Sequence, residues 1–301
     1  MTFLGITFFS GKHSIDPTPS VPETITSIKI SDGTYNHLFV SKNTNLTTNN
    51  WDDEWDFNTV MNASFDEFFD AGNSGFSLRN TDTVVIRRRE RLKNYWVTLF
   101  TIPINKTEDF AINVLDRYAR SETDCIYRIS STLHGIENSF VEKEIYSVFD
   151  GMYLVDKNSS YGSIYNIEDC DTTQNIKSEV IETYSKYPTV CSNSDLNYES
   201  GTTTALFIKM DETCTKPLLN ESREYRNEFK QRIASKKPMI LKLPDGRLWM
   251  VKIVGNPGEN TMGHQDLRQI SFEWVEIGNP DDMKSLYYND LSDVDARWWN
   301  Y

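Results

Sequence analysis

The sequence has few cysteines and lacks a zinc-binding pattern. Its 301 residues include only Cys125, Cys170, Cys191 and Cys214, which lie tens of residues apart and form no Cys-x-x-Cys pair. A His-x-x-x-His pair, which would complete a zinc site, is also absent. We therefore interpret the cysteines as reduced packing residues. A structural disulfide is the alternative if the protein works outside a cell.

Catalytic and nucleotide-binding signatures are equally scarce. The patterns Gly-x-Gly-x-x-Gly, Gly-x-x-x-x-Gly-Lys and His-Glu-x-x-His are missing, so nucleotide binding and zinc-protease chemistry have no support. The histidines His13, His37, His134 and His264 are isolated and belong to no nucleophile motif. We interpret each as a structural histidine. The sequence thus predicts no catalytic residue, no metal and no cofactor.

No apolar run in the sequence approaches the length that crosses a bilayer. Residues 1–9 are apolar, but they lack the basic region and the continuous apolar run of a signal peptide. We expect a soluble protein that is not secreted and has no membrane partner.

Positive charge is also in short supply. The chain has 31 basic and 44 acidic residues, a formal net charge of -13. Because phosphate binding requires clustered Lys and Arg, this balance argues against a protein that wraps a DNA duplex. An acidic surface or an acidic lumen fits the composition better.

One basic stretch, residues 87–93, interrupts the acidic sequence. In an alternating strand Arg87 and Arg89 share one face and Arg88 lies on the other, which divides the charge. We interpret the stretch as a charged edge or interface strand that finds carboxylate partners on neighbouring subunits, and not as a nucleic-acid site. The candidate interface residues in this stretch are Arg87, Arg89 and Arg91.

Aromatic residues are plentiful, at 13% of the chain, and hydrophobic residues make up 38%. Phe, Tyr, Trp and Ile supply most of the burial, and these types favour sheets. The composition predicts a mainly β (α+β) protein with β-barrel or β-sandwich domains and a few short flanking helices.

The last third of the chain has the clearest local pattern. Residues 221–233 predict a helix with Tyr225, Phe229 and Ile233 on one face. Residues 238–254 predict a hairpin around Asp245-Gly246, and residues 270–277 predict a closing strand. A sheet covered by a helix follows.

Other segments are assigned by the same rules. We predict strands at 83–89, 95–103, 125–133, 140–149, 152–157 and 203–210. We predict a short helix at 65–71. A second helix is predicted from the spacing of Ile176, Val180, Tyr184 and Tyr187, and Pro188 ends it.

The predicted organisation has three parts. Residues 1–135 form an N-terminal β-rich, ring-type (belt-like) domain with a proline-rich arm at 15–23. Residues 136–279 form a C-terminal β domain that contains the helix, the hairpin and the closing strand. Residues 280–301 are an acidic tail ending in Trp298, Trp299 and Tyr301, which we interpret as a docking segment because exposed aromatic rings favour a partner.

An acidic cluster between two tryptophans has three interpretations. Asp52, Asp53, Glu54 and Asp56 lie between or next to Trp51 and Trp55, as glycosidase carboxylates flanked by sugar-stacking rings would. In an extended segment, however, only alternate residues face one substrate. The spacing also lacks the glycine and distal Glu of a calcium loop. We favour a solvated loop with two aromatic anchors. The candidate interface tryptophans are Trp51, Trp55, Trp298 and Trp299.

Several local patterns together resemble structural tail proteins of phages and prophages of Gram-positive hosts. The patterns are Trp55-Asp-Phe-Asn-Thr-Val-Met61 with 71–73, Ser147-Val-Phe-Asp-Gly-Met-Tyr153, 186–193 and Ile270-Ser-Phe-Glu-Trp-Val-Glu-Ile-Gly278. The opening at 6–16 is similar to the start of distal tail proteins, the ring subunits that join the tail tube to the tip. The acidic aromatic segment 290–301 is not part of that pattern.

This resemblance implies a β-rich, non-enzymatic virion protein that is made in the host cytoplasm and located at the tail tip or baseplate. Distal tail proteins are usually hexameric, so we expect a homo-oligomeric ring, with a hexamer favoured and a trimer as the alternative. The implied partners are the tail tube and the tail-tip, hub or spike proteins, with DNA only as passing cargo. Two alternatives remain: a carbohydrate- or receptor-binding tail protein, and a tail-associated cell-wall hydrolase.

Overall fold

The computed structural model describes residues 35, 37–41, 60–70, 72, 74–164, 167–211, 214–263 and 266–299. Within these residues the protein is mainly β, as the composition predicts. The strands form sheets of two, four and seven strands, accompanied by two α-helices.

The smaller sheets come from the first half of the chain. Strands β1 (His37–Ser41) and β2 (Val60–Ser64) form an antiparallel pair. The four-stranded sheet has the order β4-β3-β5-β6. Its strands are β3 (Thr83–Glu90), β4 (Val97–Pro103), β5 (Thr123–Leu133) and β6 (Ile136–Ser147). The predicted strands at 83–89, 95–103 and 125–133 are confirmed, and the strand predicted at 140–149 begins earlier.

The seven-stranded sheet has the order β8-β7-β11-β12-β13-β10-β9 and is antiparallel throughout. In the chain, helix α1 (Leu219–Ala234) lies after residue 206 and before residue 239, and helix α2 (Met283–Tyr288) follows residue 278. The strands are β7 (Met152–Val155), β8 (Ser160–Ser163), β9 (Ile167–Ile181), β10 (Thr189–Leu206), β11 (Met239–Lys242), β12 (Leu248–Thr261) and β13 (Arg268–Gly278).

The chain divides into two compact units. The first comprises residues 1–88, 99–115 and 126–144, and the second comprises residues 89–98, 116–125 and 145–301. The predicted boundary between residues 135 and 136 instead falls in the turn between β5 and β6, so it would split a pair of neighbouring strands. Residues 280–301 also belong to the second unit and are not a separate part.

The first unit has an aromatic core around Phe69, which packs on Phe65 at 4.9 Å and stacks on Phe76 at 5.5 Å between ring centroids. The helix predicted at 65–71 is wrong for the described residues 65–70. The backbone there pairs with residues 110–112 instead, since Phe69 N donates to Phe110 O over 3.1 Å. This pairing lets Phe65, Phe69 and Phe110 enter one core.

The second unit confirms the predicted helix, hairpin and closing strand. Phe229 and Ile233 of α1 are buried, and Tyr225 is partly buried beside them. Phe229 stacks on Phe207 at 4.1 Å and meets Phe272 edge-on at 5.9 Å. Helix α1 therefore packs its predicted face on the sheet.

The turn between β11 and β12 lies at the predicted position. Gly246 has a φ of +85°, a conformation that glycine adopts without steric cost. Leu243 N donates to Arg247 O over 3.0 Å and closes the turn. The hairpin is where the sequence predicts it, but its loop holds Pro244, Asp245 and Gly246, one residue more than the predicted two-residue turn at Asp245-Gly246.

The helix predicted through Ile176, Val180, Tyr184 and Tyr187 is wrong. Residues up to Ile181 belong to strand β9, and residues from Thr189 belong to β10. Apolar residues four apart share a face in a strand as well as in a helix, so the spacing could not separate the two. The β-branched residues of this segment and its pairing with β10 favour the strand.

The stacking of α1 on the sheet yields a stability prediction. We expect Phe229→Ala to lower the free energy of unfolding by about 3 to 5 kcal/mol, because a fully buried ring leaves a cavity. Glu228→Ala, at the exposed neighbouring position, should change it by less than about 0.5 kcal/mol. Urea unfolding followed by circular dichroism measures both. Equal midpoints for the two variants would contradict this packing.

Candidate interaction surfaces

The outer part of the β9–β10 hairpin, residues 171–199, is exposed over nearly all its described side chains. We call it the hairpin extension. Near the tip Val180 lies opposite Val190 and Glu179 opposite Cys191, and the register shifts between Asn193 and Asn197. Val180 and Val190 are 59% and 61% exposed, and Tyr184 at the tip is fully exposed. A two-stranded ribbon is at best marginally stable by itself, so a covering surface would stabilise it.

The root of the hairpin extension is held firmly. Asn175 Nδ2 donates to Ser200 Oγ over 2.8 Å, and Trp249 Nε1 donates to Glu199 Oε2 over 2.6 Å. Gly201 is required there because a Cβ would clash with the carbonyl oxygen of Asp171 and the ring of Trp274. The ribbon therefore starts from a fixed base.

The second surface is the turn between β3 and β4, residues 89–96, which we call the basic turn. Lys93 N donates to Glu90 O over 2.9 Å, which places Arg91 and Leu92 at the centre of the turn. Leu92 is fully exposed. Arg91 is also exposed, and its guanidinium makes no ion pair with another described residue. The turn thus presents one apolar and one cationic side chain.

Four charged side chains clamp the two ends of the basic turn. Arg120 Nε lies 3.0 Å from Glu90 Oε1, and Arg120 Nη2 lies 2.7 Å from Asp281 Oδ2. Lys93 Nζ lies 2.8 Å from Glu90 Oε2 and 2.6 Å from Asp281 Oδ2. Each cation therefore contacts both carboxylates. We call these four residues the charge clamp.

The pKa values in the charge clamp respond to burial and to pairing. Burial favours the neutral form of Asp281, but the Lys93 hydrogen bond and the Arg120 charge outweigh it and lower the pKa of that carboxyl. Burial likewise opposes the charge on Lys93, and hydrogen bonds to Asp281 and Glu90 outweigh it and raise the pKa of that amine. Pairing therefore favours the charged forms of Asp281 and Lys93.

The predicted interface arginines lie in different surroundings. Arg87 is only 3% exposed and contacts Glu137 at 2.6 Å, so it offers little surface to a neighbouring subunit, and its interface role stays a prediction. Arg89 is partly buried, with its guanidinium 5.0 Å from the ring centre of Trp96. Only Arg91 of the three is exposed. The alternation rule missed this because both faces of β3 are covered at Arg87 and Arg88.

The predicted docking tail buries part of its side chains, including one of its two candidate tryptophans, and docking by the rest stays a prediction. Trp298 is only 3% exposed, and its carbonyl oxygen accepts a hydrogen bond from Thr98 Oγ1 at 3.3 Å. The segment up to residue 299 packs on its own unit, where Leu286 and Leu291 join a core cluster with Ile240, Leu248 and Met250. The buried residues are Met283, Leu286, Leu291, Val294 and Trp298.

Trp299 remains partly exposed and belongs to a three-ring cluster with Tyr287 and Tyr288. The ring centroids are 5.1 Å apart for Tyr287 and Trp299, and 5.9 Å apart for the other two pairs. Tyr288 is 76% exposed. Sequence reasoning missed the two tyrosines, although their position before the acidic run was visible. We call this group the aromatic cluster.

Other predicted residues have simpler outcomes. Two predicted segments lie outside the described residues: the acidic cluster with Trp51 and Trp55, and the proline-rich arm. All four cysteines are free thiols. Cys125 is buried and Cys170 packs against the core, but Cys191 and Cys214 are exposed, so the packing interpretation is wrong for the last two.

The described part of the chain has neither a group of metal ligands nor a membrane-spanning helix. No three His, Cys, Asp or Glu side chains there are grouped as a metal ion would require. No helix in the same residues has the length and apolar character needed to cross a membrane.

Comparisons with known proteins give little similarity. No protein-family model and no curated protein matches the sequence. Part of this chain is similar to a chain of a solved structure, the tail of an empty GTA particle with C6 symmetry. The TM-score is 0.28 at 10% identity, over 43% of this chain and 92% of that chain. A TM-score this low carries no argument for a common fold.

The charge clamp yields a pH prediction. Because the pKa of Asp281 is lowered in the folded protein, its ionised form stabilises the fold above the unfolded pKa of about 4, and this contribution is lost as pH falls. We expect Asp281→Asn to lower the free energy of unfolding by roughly 2 kcal/mol at pH 7.

Unfolding in urea at pH 7 and at pH 3 measures this effect, and the difference from the unchanged protein should shrink at pH 3. Asp293→Asn is the control, because its carboxylate pairs with Lys157 in an exposed position and should contribute less than about 1 kcal/mol. A loss for Asp281→Asn that is the same at both pH values would contradict the role of its ionised form.

Proposed function

We propose that this protein is a non-enzymatic structural subunit of a phage-type tail that assembles into a ring. In this role it joins the tail tube to hub, spike or receptor-binding components at the tail tip or baseplate. The proposal rests on the sequence resemblance to distal tail proteins and on one structural observation, the exposed hairpin extension.

The hairpin extension supports self-assembly because its apolar side chains have no cover within the described part of their own chain. Ile176, Val180 and Val190 are each about 60% exposed along one ribbon. Burial of such side chains on a neighbouring copy would recover hydrophobic free energy. A contact between two different surfaces of identical subunits forms a ring when its rotation closes. A hexamer is our proposal, with a trimer as the alternative.

The net charge of -13 supports a conduit for DNA over a DNA clamp. An acidic lumen would repel DNA phosphates, so DNA would pass without adhering. In this proposal DNA is cargo and the stable partners are proteins.

Light scattering and negative-stain imaging of the purified chain test the ring. We expect oligomeric rings at micromolar concentrations. Val180→Thr with Val190→Thr should weaken assembly about tenfold or more, because threonine keeps the strand preference but removes apolar surface. Val148→Thr, which is similarly exposed at 64%, is the matched control and should assemble normally.

Compact monomers at every concentration, with no binding to tail-tube or hub proteins, would overturn the assembly role. Rings that are unaffected by the double threonine variant would leave assembly standing and remove the hairpin extension from it.

A second candidate function, recognition of host carbohydrate, is favoured by the aromatic cluster. Exposed aromatic rings supply the apolar faces on which sugar rings stack, and Tyr288 is the most exposed of the three. A glycan array and host cell-wall pull-down test it. Binding that falls at least about tenfold in Tyr288→Ala, but not in the control Tyr146→Ala, whose ring is also exposed at 58%, would support this candidate. A ring subunit without this role should bind neither glycans nor cell walls.

A further inference from the structure

The basic turn is exposed, and the ring proposed above assigns it no contact. We propose that the basic turn of one copy docks on the hairpin extension of a second copy. This inference rests on the proposed self-assembly and names the two surfaces that meet.

The first argument is that the basic turn is preorganised. The charge clamp holds Glu90 and Lys93, the two ends of the turn, on Arg120 and Asp281. Arg91 N also donates to Asp124 O over 2.9 Å. A binding element that is ordered before contact loses less conformational entropy on binding. The turn is therefore suited to a protein contact.

The second argument is what the turn presents. Leu92 is fully exposed, and Arg91 beside it makes no ion pair within the described residues. Arginine is enriched at energetically important interface positions, where its guanidinium binds carboxylates through two hydrogen bonds. A complementary surface would therefore offer an apolar patch next to carboxylates.

The third argument is that the hairpin extension offers this combination. Residues 171–199 contain five carboxylates and two lysines. Glu179 and Glu182 make no ion pair with another described residue. Ile176 and Val180 are exposed along the same ribbon. The extension thus supplies both unpaired negative charge and exposed apolar surface, with Glu179 on the ribbon face opposite Ile176 and Val180 because strand residues alternate between faces.

The fourth argument concerns which copy supplies each surface. Leu92, Glu179 and Glu182 are all exposed, so the turn and the extension of one chain do not cover each other. They are different surfaces, so their contact between copies is head-to-tail. A head-to-tail contact continues from copy to copy until the ring closes, which is the geometry that the proposed ring requires.

Charge reversal on each side tests the contact. Arg91→Glu should weaken assembly about tenfold or more in light scattering, because it places like charges together. Glu179→Lys with Glu182→Lys should weaken it similarly. Arg223→Glu is the matched control, since Arg223 is exposed on α1 without an ion pair among the described residues and the net charge changes equally.

Rescue gives the decisive result. When the Arg91→Glu protein is mixed with the Glu179→Lys, Glu182→Lys protein, both head-to-tail contacts of the alternating assembly regain opposite charges. We expect the mixture to assemble although each protein alone does not. Strict alternation closes only rings with an even number of copies, so a hexamer would be rescued as a closed ring and a trimer would not.

The outcomes separate this inference from the proposed function. If the unchanged protein assembles and both charge-reversed proteins assemble equally well, the docking inference is wrong and the ring stands. Weakening by Arg223→Glu to the same extent, or a mixture that forms neither closed rings nor open alternating chains at equal total concentration, would also overturn it. If the unchanged protein never assembles, the proposed function fails.

Two checks exclude simpler causes. Circular dichroism and thermal unfolding should show that each variant remains folded, as expected for exposed positions. Leu92→Ser, which removes the apolar contact without changing charge, should also weaken assembly. If the Leu92→Ser protein and the Arg91→Glu protein each assembled normally, the inference would be overturned.

Discussion

The second unit depends on the packing of α1 against the seven-stranded sheet. Phe229 is fully buried and joins the helix to Tyr161 of β8, to Phe207 directly after β10 and to Phe272 of β13. The sheet has no other helix over that face within its core cluster. Because the same sheet contains β9 and β10, this packing also fixes the base from which the hairpin extension projects. A local aromatic contact therefore supports a distant exposed ribbon.

Two exposed elements of the second unit differ in how they are held. The basic turn is fixed at both ends by charges that compensate each other, whereas the hairpin extension is fixed only at its root. A rigid turn with an exposed arginine and leucine and a ribbon with exposed valines and carboxylates have complementary chemistry. In our proposal this difference serves assembly, because a firmly held element meets a ribbon that gains stability when it is covered.

The sequence predicted the elements whose signals are local. The face of Tyr225, Phe229 and Ile233 follows from helical periodicity, and the hairpin follows from Asp245-Gly246. The same kind of reasoning failed at Ile176 and Val180, because residues four apart share a face in either structure and only pairing with β10 distinguishes them. The resemblance to distal tail proteins and the interface role of Arg91 stay predictions.

The sequence alone determined the mainly β class and the C-terminal helix and hairpin, because periodicity and turn chemistry act over a few residues. Tertiary structure decided which charged and aromatic residues are accessible. Arg87 and Trp298 look like surface contacts in the sequence but are buried by elements far along the chain, while Leu92 and Tyr288 are left exposed. Exposure depends on long-range packing, and no short pattern encodes which neighbour will cover a side chain.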